Sequence, residues 1–166
     1  MIYTSRLHIQ HLCADDWIKM KEIFSDFNQS KYAIYDAPLP TEDNETRELI
    51  KRFSDSNLFF SVNLQGKMIG YLCFHVDNSK YDLGYCFHSA YHGNGYTYES
   101  ANALIQYFAK EHNARIFTAG TAIDNIPSCN LLKKLGFICA STETVSFNAD
   151  FSFIGGKFIL DLDKQK

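Results

Sequence analysis

One stretch, Leu83 to Ala101 (LGYCFHSAYHGNGYTYESA), constrains the fold more than any other. Tyr81, Leu83, Tyr85 and Phe87 alternate with Asp82, Gly84, Cys86 and His88, the period of a strand with one buried face. Ala101, Leu104, Ile105 and Phe108 then recur at helical spacing and form one apolar stripe. Between strand and helix, Gly93 and Gly95 permit φ > 0 and carry no Cβ to keep a ligand from the backbone. The N–H groups from about Gly93 to Thr97 therefore sit at the positive end of a helix, a place suited to an anion such as a pyrophosphate. The same two glycines also fit a plain strand-to-helix turn. A dinucleotide-binding fingerprint fits poorly, because the third glycine is missing and nothing upstream begins a βαβ unit. No G-x-x-x-x-G-K-S/T phosphate loop is present.

The flanking segments set the topology. Tyr3 to Leu12 reads as one strand, and Asp15 is the candidate N-cap of a helix striped by Trp17, Met20, Phe24 and Phe27. Pro38 and Pro40 mark an irregular connection that holds Tyr32, Tyr35 and Asp36. Thr41 opens a second helix with Glu42 and Asp43 in its first turn and Leu49, Ile50 and Phe53 as its apolar face. Leu58, Phe60, Val62 and Leu64 alternate; Gln65-Gly66-Lys67 turns the chain; Gly70, Leu72, Phe74 and Val76 alternate again. Asp77-Asn78-Ser79-Lys80 is the next turn and leads into the Tyr81–Phe87 strand. An antiparallel meander followed by a helix suits an α/β sheet of mixed direction, not a doubly wound one. A short strand follows over Arg115–Thr121, and a further helix starts at Asp124-Asn125-Ile126-Pro127-Ser128. Leu131, Leu132 and Leu135 are its buried face and Gly136 its C′ residue. The last strands span Phe137–Phe147 and Phe151–Leu162, with a turn near Asn148-Ala149-Asp150 and a frayed Lys164-Gln165-Lys166.

At 166 residues, the chain is expected to form one domain over 1–166. No apolar run approaches the ~20 residues of a membrane span, and the first residues lack the apolar core of a signal peptide. The expectation is a soluble, cytoplasmic protein with no membrane partner. A net charge of −3 argues against a broad nucleic-acid surface. Cys13, Cys73, Cys86, Cys129 and Cys139 are isolated and form no C-x-x-C, so neither a metal site nor a redox pair is expected.

The glycine-bearing stretch resembles the acyl-CoA-binding motif of the GNAT acetyltransferase superfamily, Gln/Arg-x-x-Gly-x-Gly/Ala. It is closer still to the ribosomal-protein N-terminal acetyltransferase branch, which reads GYWL-x-P-x-Y-Q-G-K-G-Y-A-T-E-A. Gly84, Tyr85, Tyr91, Gly93, Gly95, Tyr96, Glu99 and Ala101 match. His92 stands for Gln or Arg, Asn94 for Lys or Arg, Ser89 for Pro, Thr97 for Ala or Gly, and Tyr98 for Thr. A second run, Asn125, Ser128, Leu131, Leu132, Lys134, Leu135, Gly136 and Phe137, resembles the second GNAT signature N-x-x-S-x-x-L-L-x-K-L-G-F. Thr4-Ser5-Arg6-Leu7 resembles the branch's opening T-E-R-L, so the resemblance spans almost the whole chain.

The resemblance implies an α/β fold with a mixed, mostly antiparallel sheet of about six to seven strands and about four helices. It implies acetyl-CoA as acyl donor and a primary amine as acceptor, attacked directly at the thioester. The cofactor contacts it implies are Cys86, Phe87, His92, Gly93, Asn94, Gly95, Tyr96, Thr97, Asn125 and Ser128. An oxyanion donor would lie near Cys86-Phe87, where the strand parts from its parallel neighbour. The branch's leaving-group acid points to Ser128, which also fits a plain helix-capping role; Asn125 is a pantetheine or water contact, a cap, or both. An α-amino group, with a pKa of ~8, is an easier nucleophile at neutral pH than a lysine at ~10.4. Asp82, His88, Glu143 and Asp150 are candidate bases, none of them assigned. Glu99 reads as a helix-dipole partner. An edge strand could pair two copies in a homodimer. The rival readings are a non-catalytic acyl-CoA-binding module, favoured by the non-basic Asn94, and an interaction domain that binds no CoA.

Overall fold

The structure, a computed structural model, describes residues 1–148 and 151–164. Ala149, Asp150, Gln165 and Lys166 lie outside the described residues. With them go Ala149 and Asp150 of the last expected turn, the final two residues of the expected frayed end, and Asp150 as a candidate base.

The strands are β1 (Ile2–Tyr3), β2 (Leu7–His11), β3 (Phe59–Leu64), β4 (Lys67–Asp77), β5 (Lys80–Phe87), β6 (Ile116–Ala122), β7 (Ile138–Asn148) and β8 (Phe151–Asp161). The helices are α1 (Trp17–Asn28), α2 (Asp43–Asp55), α3 (Tyr96–Glu111) and α4 (Ile126–Lys134). The strands form one sheet in the order β1-β2-β3-β4-β5-β6-β8-β7. Every neighbouring pair is antiparallel except β5 and β6. Those two run parallel and pair only as Lys80↔Ile116, Tyr81↔Phe117 and Asp82↔Thr118. Beyond Asp82 they separate, and this opening positions the site.

The sheet has eight strands rather than six to seven, because the stretch expected as one strand from Tyr3 to Leu12 is a hairpin. Thr4 causes the break. Its N–H donates to the Leu7 carbonyl and its Oγ1 accepts from the Leu7 N–H, both at 2.9 Å, which folds Ser5 and Arg6 into a tight turn. The start of α1 also differs from expectation. Asp16, not Asp15, closes the turn before it, accepting from the Cys13 N–H at 2.9 Å. The turns between β3, β4 and β5 follow the sequence reading. Gln65-Gly66 (φ 49°, 82°) and Asn78-Ser79 (φ 46°, 64°) are left-handed pairs that match the twist of two antiparallel strands.

Alternation along the central strands divides the interior into two cores. Leu72, Phe74, Leu83 and Phe117 face Leu104, Ile105 and Phe108 of α3. Phe74, Tyr81, Phe108 and Phe117 pack ring against ring, with Phe74 and Phe108 centroids 4.7 Å apart. On the other face Met20, Ile23 and Phe24 of α1 and Ile50 of α2 bury Phe59, Met68 and Cys73. Among the described residues no helix is long and apolar enough to cross a membrane.

Candidate active site

The phosphate-type turn forms as its glycines require. Gly93 and Gly95 both adopt φ 77°, and Gly95 is the N-cap of α3. A Cβ at Gly93 would meet nothing within 4 Å, and one at Gly95 only the Arg6 guanidinium at 3.7 Å. Glycine is required here by backbone conformation, not by crowding. No side chain caps the first turn of α3. Its N–H groups are therefore left to an incoming anion.

A cleft of about 630 Å³ opens beside this turn. Tyr85, Cys86 and Phe87 of β5 form its floor, Gly93, Gly95 and Thr97 one end, Asn125 and Ser128 of α4 one wall, and Asp26 and Phe27 of α1 the other. Of the cofactor residues expected from sequence, the cleft brings together Cys86, Phe87, His92, Gly93, Gly95, Thr97, Asn125 and Ser128. Asn94 and Tyr96 are turned away from it. The Asn94 amide donates to the Tyr91 and His92 carbonyls, and the Tyr96 ring lies under Arg6, 4.6 Å from its guanidinium. From the irregular segment Tyr32 reaches the cleft, whereas Tyr35 packs its ring on Phe153 of β8 at 5.2 Å.

The separation of β5 from β6 leaves backbone groups facing the cleft. The His88 N–H donates to the Ile69 carbonyl at 3.0 Å, toward β4. Successive peptide groups along a strand point to opposite edges, so Phe87 presents its N–H and carbonyl to the gap. The Phe87 carbonyl accepts a hydrogen bond from His92 Nε2–H at 2.7 Å. A carbonyl only accepts, so the Nε2 nitrogen carries the hydrogen in this contact. Of the pair Cys86-Phe87, the Phe87 N–H is the one a developing oxyanion could meet. Burial pushes the Cys86 thiol up to about 12, with the Asp26 and Asp36 carboxylates adding to the shift. The thiol stays protonated at neutral pH and does not compete as a nucleophile.

On α4 the Asn125 Oδ1 accepts from the Ser128 N–H at 3.3 Å, so Asn125 caps the helix. The Ser128 hydroxyl is not spent on capping. Its Oγ lies 2.7 Å from the Tyr85 hydroxyl.

Three of the candidate bases stand outside the cleft. Asp82 accepts from the Thr118 hydroxyl at 2.6 Å, His88 Nδ1 accepts from the Ala90 N–H, and Glu143 pairs with Lys157 at 3.2 Å. A carboxylate that the sequence reading did not single out does line it: Asp26. Its oxygens accept from the Ser89 N–H at 2.7 Å and the Ser89 hydroxyl at 2.6 Å. Burial works to raise its pKa, but the Ser89 bonds and the nearby His88 and His92 hold it below the ordinary carboxylate value. Its place in α1, between Phe24 and Phe27, is the only hint the sequence carries.

Two cations that are not among the expected cofactor contacts also reach the site. Arg6 reaches the glycine turn, donating from its Nη1 to the Asn94 carbonyl at 3.0 Å. Lys134 holds its ammonium 4.4 Å from the Tyr98 ring centroid and lines both the cleft and the polar recess next to it. Among the described residues no group of three or more His, Cys, Asp or Glu is arranged to hold a metal.

Comparison with known proteins supplies the family context. A family model described as acetyltransferase (GNAT) domain matches residues 6–138. An uncharacterised N-acetyltransferase, YnaD of Bacillus subtilis (strain 168), is 32% identical over 139 residues, which is 81% of each chain. An acetyltransferase of the GNAT family from Bacillus anthracis has the same fold, with TM-score 0.86 and 23% identity over 98% of this chain and 99% of that one. RimL, a ribosomal L7/L12 alpha-N-protein acetyltransferase solved with coenzyme A, follows at TM-score 0.85 and 16% identity over 96% of both chains. At these identities the two solved structures speak to the fold.

Proposed function

The chain belongs to the GNAT acetyltransferase family, and on that premise we propose that it moves an acetyl group from acetyl-CoA to a primary amine, either a protein N-terminus or a small-molecule amine. One observation carries this reading. The glycine turn, the open edge of β5 and the Ser128 hydroxyl all border one cleft. A thioester with a long phosphorylated arm needs those three features at once.

In this reading the α3 N-terminus and the Gly93–Thr97 backbone hold the pyrophosphate. Arg6 and Lys134 supply positive charge that Asn94 does not. The uncharged amine attacks the thioester carbon, and the Phe87 N–H stabilises the oxyanion. As the intermediate collapses, the sulfur leaves with the C–S electron pair and takes a proton from Ser128. Asp26 lies on the wall opposite Ser128, where it attracts a cationic acceptor. It is a poor general base, because its bonds to Ser89 favour the ionised form.

Asn94 favours the second reading, an acyl-CoA-binding module without turnover. Calorimetric titration with acetyl-CoA, followed by release of free thiol with N-terminal peptides and small amines, separates the two. Micromolar binding with thiol release supports the enzyme. Binding with no release from any amine supports the module. No binding at millimolar acetyl-CoA removes both.

A further inference from the structure

Ser128 does not face the cleft alone. The Tyr85 hydroxyl lies 2.7 Å from its Oγ, and both residues line the cleft. Tyr85 rises from β5 on the face that carries Leu83 and Phe87, and its ring packs against the principal core. Two hydroxyls this close share one hydrogen. A phenol is the stronger donor of the two, because its O–H is far more acidic than that of an alcohol. Ser128 Oγ therefore accepts from Tyr85, and the hydrogen on Ser128 is free to turn toward the cleft. Burial pushes the Tyr85 hydroxyl up to about 12, against the opposing pull of the Ser128 bond. The phenol keeps its proton, and so keeps donating, across the neutral range.

We propose that Tyr85 is a positioning residue for the leaving-group proton: it donates to Ser128 Oγ, aims the Ser128 O–H at the sulfur and makes that O–H more acidic. This inference rests on the acid role given to Ser128. The atoms balance. The C–S bond breaks, sulfur keeps the electron pair and takes the Ser128 proton. The Tyr85 hydrogen bond steadies the charge left on Oγ. The proton lost by the attacking amine returns to Ser128 through cleft water, so the cycle consumes none.

The test uses Tyr85→Phe, Ser128→Ala and the double variant in the full chain. Acetyl-CoA affinity is read by calorimetry and turnover by thiol release at saturating acetyl-CoA and a saturating amine. Tyr85→Phe is expected to lower kcat roughly tenfold, the scale of one hydrogen bond, with the acetyl-CoA Kd unchanged. The double variant is expected to be no slower than Ser128→Ala alone. If Ser128→Ala is slow and Tyr85→Phe keeps full turnover, the inference fails and the Ser128 reading stands. If Ser128→Ala keeps full turnover, both fail. If the two losses multiply, Tyr85 acts independently of Ser128 and the inference fails. Should Tyr85→Phe not fold, a fluorinated tyrosine at position 85 keeps the shape with a more acidic phenol. It is expected to bring the alkaline limb of kcat to lower pH, and an unmoved limb overturns the inference.

Discussion

Arg6 and Glu99, ninety-three residues apart, are joined by two contacts, Nε to Oε2 at 2.7 Å and Nη2 to Oε2 at 2.6 Å. The same guanidinium bonds the Asn94 carbonyl from its Nη1. Glu99 also accepts from the Thr4 and Ser5 hydroxyls and from the Arg6 N–H. One carboxylate in the first turn of α3 thus gathers the whole β1–β2 turn, and one arginine in that turn holds the glycine loop. Removing the carboxylate leaves these donors without their acceptor. Glu99→Ala is expected to cost about 1.5–3 kcal/mol. In a chain of this size that lowers the melting midpoint by about 2–4 °C per kcal/mol. Thermal unfolding at neutral pH measures it.

Arg6→Lys keeps a positive charge but loses the fork that spans Glu99 and Asn94 together. Acetyl-CoA affinity is expected to fall several-fold in Arg6→Lys and further in Arg6→Ala, as the loop is released. An Arg6→Ala variant with unchanged affinity in calorimetry removes Arg6 from the cofactor site.

Glu99 and Asp26 predict how stability responds to acid. In both, burial works to raise the pKa and hydrogen bonds outweigh it, so both sit below their ordinary values of 4.5 and 3.8. A carboxylate whose folded pKa is depressed contributes stability above its unfolded pKa and loses it as pH falls through the folded one. Stability from these two groups is therefore intact at neutral pH and declines below about pH 4.5. Urea denaturation at a series of pH values is expected to show a shallower acid slope in Glu99→Gln than in the parent.

Gly95→Val is expected to abolish acetyl-CoA binding. The backbone at φ 77° resists a β-branched side chain, and the turn must rearrange to accept one. Since only the Arg6 guanidinium lies within 4 Å, Gly95→Ala acts through conformation alone and is expected to weaken binding less. Equal affinity in all three proteins sinks the assignment of the loop.

The five thiols should divide by exposure. Cys13 and Cys139 are exposed, Cys73 and Cys129 are buried, and Cys86 is half-buried with its pKa raised to about 12. A disulfide exchange reagent at neutral pH is expected to modify Cys13 and Cys139 quickly and Cys86 slowly, despite its place on the cleft floor. Rapid loss of the Cys86 thiol contradicts the environment described.

Local chemistry made the elements legible in the sequence. Gly95 before α3, Asn125 before α4 and the turn at Gln65-Gly66 each follow from a residue's own conformational preference. The β1–β2 hairpin was not legible. Its break depends on Thr4 bonding to Leu7 in a segment whose apolar residues read as one strand. The lining of the cleft was legible where a motif marks a residue, as at Gly93 and Ser128. Asp26, Arg6 and the Tyr85–Ser128 contact depend on pairings between distant parts of the chain, and no spacing in the sequence encodes them, whereas Lys134 shares α4 with Ser128 at the spacing of the second run. Asn94, expected among the cofactor contacts, turns its amide back onto the Tyr91 and His92 carbonyls, and its residue type does not say that the β1–β2 turn brings Arg6 to the loop.

The three-rung pairing of β5 with β6 also has a mechanical meaning. The sheet behaves as two plates, β1 to β5 and β6 to β8, riveted at one end and free at the other. The cleft is the free end of that seam. A molecule lodged there touches β5 of the first plate and, across the seam, α4, which packs on β6 of the second, so it spans the gap as a brace.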